Sequence, residues 1–245
     1  MPTRLVHLVA DANDPAALAR FWSGLLGWPV ADETPEEVDV WPAGYSYPDP
    51  VAVPIVFVPV PEPKTGKNRV HLDLASTSAQ QQAGLIARAV ELGGRPADIG
   101  QGEVPWAVMA DPEGNEFCVL EPREEYRGTG PVAAILTDCA DPMALARFWV
   151  AAAGWRIERA DEHLAALRSP AGVGPYLEFL RVPGQKAVKN RWHPDVAPQR
   201  DGDVASELAR LRATGATPAG AGPGQLPWTV LADPEGNEFC MLAPR

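Results

Sequence analysis

The sequence predicts an α+β protein built from two tandem copies of one domain, and three observations carry that prediction. First, Asp111-Pro112-Glu113-Gly114-Asn115-Glu116-Phe117-Cys118 recurs unchanged 122 residues later as Asp233-Pro234-Glu235-Gly236-Asn237-Glu238-Phe239-Cys240. Second, the other landmarks return in the same order, which marks a duplication rather than a chance match: Pro105-Trp106 as Pro227-Trp228, and Lys67-Asn68-Arg69-x-His71-x-Asp73 as Lys189-Asn190-Arg191-x-His193-x-Asp195. Third, short alternating apolar runs are interleaved in each copy with stretches of helical period.

The elements follow in order. Leu5-Val6-His7-Leu8-Val9 and Val132-Ala133-Ala134-Ile135-Leu136 read as strands. Asp14 suits a helix N-cap and Pro15 the first helical position, where a missing N–H costs nothing. Leu18, Phe21, Trp22 and Leu25 then share one face, and Gly27 closes the helix. This start returns at Asp141-Pro142, 127 residues on, so copy two has lost about five residues before its middle strand. Two or three strands fill the region to Pro61, the clearest from Val53 to Val60. Val70 to Leu74 alternates as a strand, and a helix runs from about Ser78 to Leu92. In copy two the matching helix carries Val204, Leu208 and Leu211 and ends at Gly215. Trp106–Ala110 and Asn115–Leu120 form a hairpin around Asp111-Pro112-Glu113-Gly114, with Pro presetting φ and Gly supplying a positive one.

Copy one is placed at residues 1–122 and copy two at 131–245, each expected as a separate globular domain of the same topology. The polar, Gly/Pro-containing stretch from Pro122 to Pro131 reads as the linker. A net charge of −11 over 245 residues argues against a nucleic-acid partner, and no basic stripe suits an anionic membrane. No run is long and apolar enough to cross a bilayer, and the start, Met1-Pro2-Thr3-Arg4-Leu5, has no signal-peptide character. Three cysteines, an odd number, point to a reduced, cytoplasmic chain.

Strand–helix–strands, twice per copy, with the Asp-Pro-Glu-Gly-Asn-Glu-Phe hairpin and the Asn-Arg-x-His-x-Asp strand, resembles the vicinal-oxygen-chelate superfamily in its glyoxalase/bleomycin-resistance-like branch. The resemblance implies βαβββ modules, two per domain, curling into cupped mixed sheets with helices outside. It does not select a reaction, because lyases, isomerases, dioxygenases and metal-free drug-binding proteins share the architecture. In metal-dependent members the ligands come from the first and last strands of each module. Carried onto this chain, the first-strand positions are His7 and His71 in copy one and Ala134 and His193 in copy two. The last-strand positions are near Val56 and at Cys118 in copy one, and at Glu178 and Cys240 in copy two.

Each cup therefore offers at most three of four ligands. If modules pair across copies, one cup holds His7, His193 and Cys240 and the other Glu178, His71 and Cys118; if they pair within a copy, His7, His71 and Cys118 converge, as do Glu178, His193 and Cys240. Two His and a thiolate favour zinc or a similar divalent metal, but the sets are incomplete. The bland alternatives are a packed thiol for Cys118 and Cys240, a structural hydrogen bond for the histidines and an Arg partner for Glu178. Trp106 and Trp228 offer stacking faces at the pocket, or edge packing. Arg69 and Arg191 suit an anionic group at the pocket rim, or a solvated strand entry. The leading reading is a protein that holds a small organic molecule in the cup; the alternative is a divalent-metal-dependent lyase or isomerase, ahead of an extradiol dioxygenase. A monomer with internal pseudo-twofold symmetry is expected.

Overall fold

The computed structural model describes residues 3–220 and 227–245, so Met1 and Pro2 of the N-terminal run lie outside the described residues. Copy one runs β1 (Arg4–Ala12), α1 (Pro15–Leu26), β2 (Val30–Glu33), β3 (Val38–Val40), β4 (Ile55–Pro59), then β5 (Val70–Leu74), α2 (Ala79–Glu91), β6 (Arg95–Pro96), β7 (Ala107–Ala110) and β8 (Glu116–Val119). Copy two runs β9 (Val132–Cys139), α3 (Pro142–Ala153), β10 (Arg156–Ala160), β11 (Leu164–Arg168), β12 (Tyr176–Arg181), then β13 (Trp192–Ala197), α4 (Val204–Ala213), β14 (Thr217–Pro218), β15 (Thr229–Ala232) and β16 (Glu238–Met241). A 3-10 turn, Glu124–Tyr126, interrupts the linker.

The helix starts follow the expected capping chemistry. The side chains of Asp14 and Asp141 accept from Ala17 N and Ala144 N, and Gly27 and Gly154 close the helices at φ 71, a conformation costly for residues with a Cβ. Ser78 caps α2 as read, and the helix ends at Glu91. The five-residue loss falls in the connection before the last strand of the first module. Residues 41–54 join β3 to β4, whereas 169–175 join β11 to β12.

The copies share a topology, as expected, but they do not form separate globular units. The sheet order is β14-β15-β16-β13-β1-β4-β3-β2 in sheet A and β10-β11-β12-β9-β5-β8-β7-β6 in sheet B. Each sheet thus joins the first module of one copy to the second module of the other. The seams are antiparallel, β1 with β13 and β9 with β5, and a bulge interrupts both registers. Local patterning is compatible with pairing inside or across copies, since it specifies which face is buried and not which partner strand supplies the neighbour.

One apolar core runs behind both sheets. Trp22 on α1 meets Phe117 on β8 at 5.1 Å and Trp192 on β13 at 5.5 Å between ring centroids, so a single helix packs on strands of both sheets and both copies. Trp149 meets Phe239 at 5.5 Å in the equivalent place.

Candidate functional site

The repeated Asp-Pro-Glu-Gly-Asn-Glu-Phe segment builds the scaffold. Asp111 accepts from Glu113 N, Asn115 N and Trp22 Nε1, closing the turn and tying it to α1. The Glu113 carboxylate accepts from Asn13 N and Asp14 N at the start of α1, where the helix dipole favours an anion. Arg191, from the other copy, grips that carboxylate at 2.8 Å. The mirror clamp has Glu235 on Ala140 N and Asp141 N, held by Arg69 at 3.0 Å. Arg69 and Arg191 also line a cavity of about 710 Å³ between the two Lys-Asn-Arg runs. Its cations have acidic partners, with Lys67 on Asp138, Lys189 on Asp11 and Lys64 on Glu116. Of the two tryptophan candidates, Trp106 is half-buried under the Arg123 guanidinium, 5.6 Å from its ring centre, and Trp228 is 41% exposed.

Strand register then assembles the two cups. In sheet A, His7 lies opposite Asp195, Val9 opposite His193, Val56 beside Val9 and opposite Asp39, and Cys240 beside Asp195. Because side chains alternate across a strand, all of these point to one face, while Leu8, Ala10, Val38, Val40, Ile55 and Phe57 join the core on the other. In sheet B the matching face carries Ala134, Leu136, Glu178, Ala166, His71, Asp73 and Cys118. Of the two arrangements left open by sequence, the structure brings together His7, His193 and Cys240, and separately His71, Glu178 and Cys118.

Both cups contain a buried His–Asp–Cys group. His193 Nε2 lies 3.5 Å from Cys240 Sγ and 3.4 Å from Asp195 Oδ1, while Asp195 Oδ2 accepts from His7 Nε2 at 2.9 Å. His71 Nε2 lies 3.6 Å from Asp73 Oδ1. In each group the three candidate donor atoms lie within 4.8 Å of one another. Burial pushes the His71 imidazole down to about 4, lowers His193, and raises the thiols of Cys118 and Cys240, so these groups rest neutral. Burial raises Asp73 to about 7, with Glu178 adding to the effect. Four atoms in the two groups, Nδ1 of both histidines and Oδ1 of both aspartates, are buried without a hydrogen-bond partner. Buried polar atoms left unpaired are costly, so their concentration on the cup faces is what a binding site for something else looks like. Asp73 and Asp195 were not among the candidate ligands; their alternation with His71 and His193 on one strand face was the signal.

The cups diverge in what fills them. In sheet B, Tyr126 swings in from the linker and is buried; its hydroxyl lies 3.1 and 3.2 Å from the two Glu178 oxygens. Arg159 completes the knot at 2.7 Å from Glu178 and 3.2 Å from the Tyr126 hydroxyl. Tyr126 packs with Ala133, Ala134, Ala166 and Tyr176, so its ring takes the space that small residues leave at and around the position of the missing histidine. Burial raises Glu178 despite the attraction of Arg159. In sheet A, His7 stands where sheet B has Ala134. Tyr47, from the long 41–54 connection, covers the edge near Cys240, and its hydroxyl is buried without a partner.

A fold of paired modules around two cups, each with a histidine on the first strand of the second module, defines a protein class that the comparisons identify. The family model described as "Glyoxalase-like domain" matches residues 7–120 and 134–242, and the chain belongs to this family of the vicinal-oxygen-chelate superfamily. Glyoxalase I from Zea mays superposes with a TM-score of 0.66 at 14% identity, covering 98% of this chain and 92% of that one. A putative dioxygenase from Bacillus subtilis superposes with a TM-score of 0.62 at 13% identity, over 99% and 85%. At such identities the likeness concerns the fold. Comparison with curated proteins yields no match.

Proposed function

We propose that the chain binds a small organic molecule, and that it does so in the cup of sheet A alone. The observation that supports this is the contrast in filling. The sheet A cup presents a His7–Asp195–His193 chain with unpaired buried atoms, whereas the equivalent space in sheet B is taken by Tyr126, Glu178 and Arg159. Val9, Val56 and Tyr47 give the cup apolar walls, and the polar chain supplies the few convergent contacts that orient a ligand.

A ligand-observed NMR screen of small polar carboxylates, amines and hydroxy-ketones tests this, repeated on His193→Ala and His71→Ala. Binding should vanish in the first variant and persist in the second. No binding, or binding indifferent to His193, overturns the reading.

One observation favours a second reading, a divalent-metal-dependent lyase or isomerase. The donor set His193, Asp195 and Cys240, with His7 beside Asp195, suits a zinc-like ion, and the orphaned Asp195 Oδ1 suits it too. Such an ion would polarise a carbonyl oxygen of the substrate; the raised Cys240 thiol would have to release its proton on binding. Metal analysis of protein purified without chelator separates the readings: about one equivalent of metal, lost in His193→Ala, favours the second.

A further inference from the structure

The acid missing from sheet A has a replacement one strand away. In sheet B the module carries Ala166 on β11 opposite Glu178 on β12. In sheet A the same cross-strand pair is Asp39 on β3 opposite Val56 on β4, so the acid and the small apolar residue have changed places. Directly opposed residues share a face, with Cβ atoms about 5 Å apart, so a carboxylate at Asp39 serves much of the space that one at position 56 would serve. Val38 and Val40 point into the core, which fixes Asp39 toward the cup. One of its oxygens is buried with no hydrogen-bond partner, and it feels the charge state of His7 across the cup. Asp195, 4% exposed, also holds an unpaired oxygen on this face.

We infer that Asp39 is a ligand-contacting carboxylate of the sheet A cup, standing in for the acid absent at Val56, and that with Asp195 it makes this cup a receptor for a positively charged centre. The inference rests on the reading that sheet A holds the working cup. The shared chemistry is a cation, supplied either by a divalent metal ion or by the ammonium group of an organic ligand. Two carboxylates on this face each keep a buried oxygen that no hydrogen-bond donor reaches, an arrangement that a positively charged centre would complete.

The test is calorimetric titration of the whole chain with zinc chloride, nickel chloride, putrescine and, as an anionic counter-probe, sodium acetate. Wild type should bind at least one cation, and Asp39→Asn should weaken that binding by about tenfold or more, as loss of a charged contact does. Asp32→Asn, which removes an exposed charge from the same sheet edge, should change it less than about threefold. In the double variant Asp39→Ala/Val56→Glu, affinity should return toward wild type; circular dichroism checks that each variant is folded. Metal binding without putrescine binding assigns the cation to an ion, and the reverse assigns it to an organic ammonium. Cation binding equal in wild type and Asp39→Asn, yet lost in His193→Ala, overturns the role of Asp39 and leaves the cup. Acetate bound in preference to every cation overturns the charge preference. Binding of none of the four overturns the inference, while the broader NMR screen still decides whether the cup is a site.

Discussion

The two cups have the same strands, the same bulge at the seam and the same His–Asp–Cys group, yet one receives Tyr126 from the linker, bonded to Glu178 beside Arg159, and the other only the partly buried Tyr47, whose hydroxyl finds no partner. Connectivity supplies a reason. The linker runs from β8 to β9, and both strands belong to sheet B, so the only chain that joins one copy to the next must pass that sheet. Its Tyr126 enters where Ala133 and Ala134 leave room. In sheet A, larger residues, Val6 and His7, hold the corresponding positions. A covalent duplication thus lets two initially equivalent sites diverge, because each keeps its own sequence at every position.

Four experiments break or sharpen this contrast. The largest effect is expected from Tyr126→Ala, which empties a buried aromatic position and removes the hydroxyl that faces buried Glu178. Stability in urea should fall by about 3–5 kcal/mol. A loss below about 1 kcal/mol would mean that the linker only rests on sheet B.

Next come the clamps, which should behave alike although the cups do not. Arg69→Ala and Arg191→Ala each remove the cation from a hairpin glutamate that caps a helix. Each should cost about 1.5–3 kcal/mol, with the two losses equal within about 1 kcal/mol. A large inequality would show that the scaffold has diverged along with the sites.

The third experiment uses pH. Burial raises Asp39 to about 6, Glu37 and Asp32 push the same way, and His7 opposes. The folded state therefore holds the Asp39 proton more tightly than the unfolded chain does, and this stabilisation, complete at low pH, is lost as pH rises from about 4 to about 6. Relative to Asp39→Asn, the wild type should be less stable by about 1–2 kcal/mol at pH 7, after discounting for partial exposure, and the difference should disappear near pH 3. Thermal melts across that range read it directly; a flat difference would mean that Asp39 is fully solvated. The smallest effect belongs to Trp228→Ala. At 41% exposure, with no ring partner among the described residues, its loss should stay within about 0.5 kcal/mol by urea titration.

The duplication, both capped helices and the hairpins were legible because each is written in local chemistry. Asp14-Pro15 and Gly27 bracket α1, and Asp111 to Gly114 specify a turn whatever lies around them. The exchange of modules was not legible, since β1 would present the same buried face to β5 or to β13. The cup faces were partly legible: His7, His71, His193 and both cysteines stand on them, but the apolar Val56 gave no sign of the carboxylate that lies opposite it. Asp39 sits in the acidic stretch Glu36-Glu37-Val38-Asp39 and reads as surface until register places it opposite Val56. Tyr126 was hidden likewise, one aromatic residue in a polar connector.

The exchange also bears on the order in which the protein can be made. Strands β5 to β12, all of sheet B, lie with Tyr126 in one uninterrupted stretch of chain from Val70 to Arg181. A ribosome that has released that stretch has released a complete sheet. Sheet A is assembled from what flanks it, and its His7–Asp195 contact joins residues 188 positions apart. The first module must wait, its β1 edge unpaired, until the last module emerges. The His7–Asp195 cup is therefore the later of the two to be completed, and until then its first half carries an unpaired strand edge of the kind that invites aggregation.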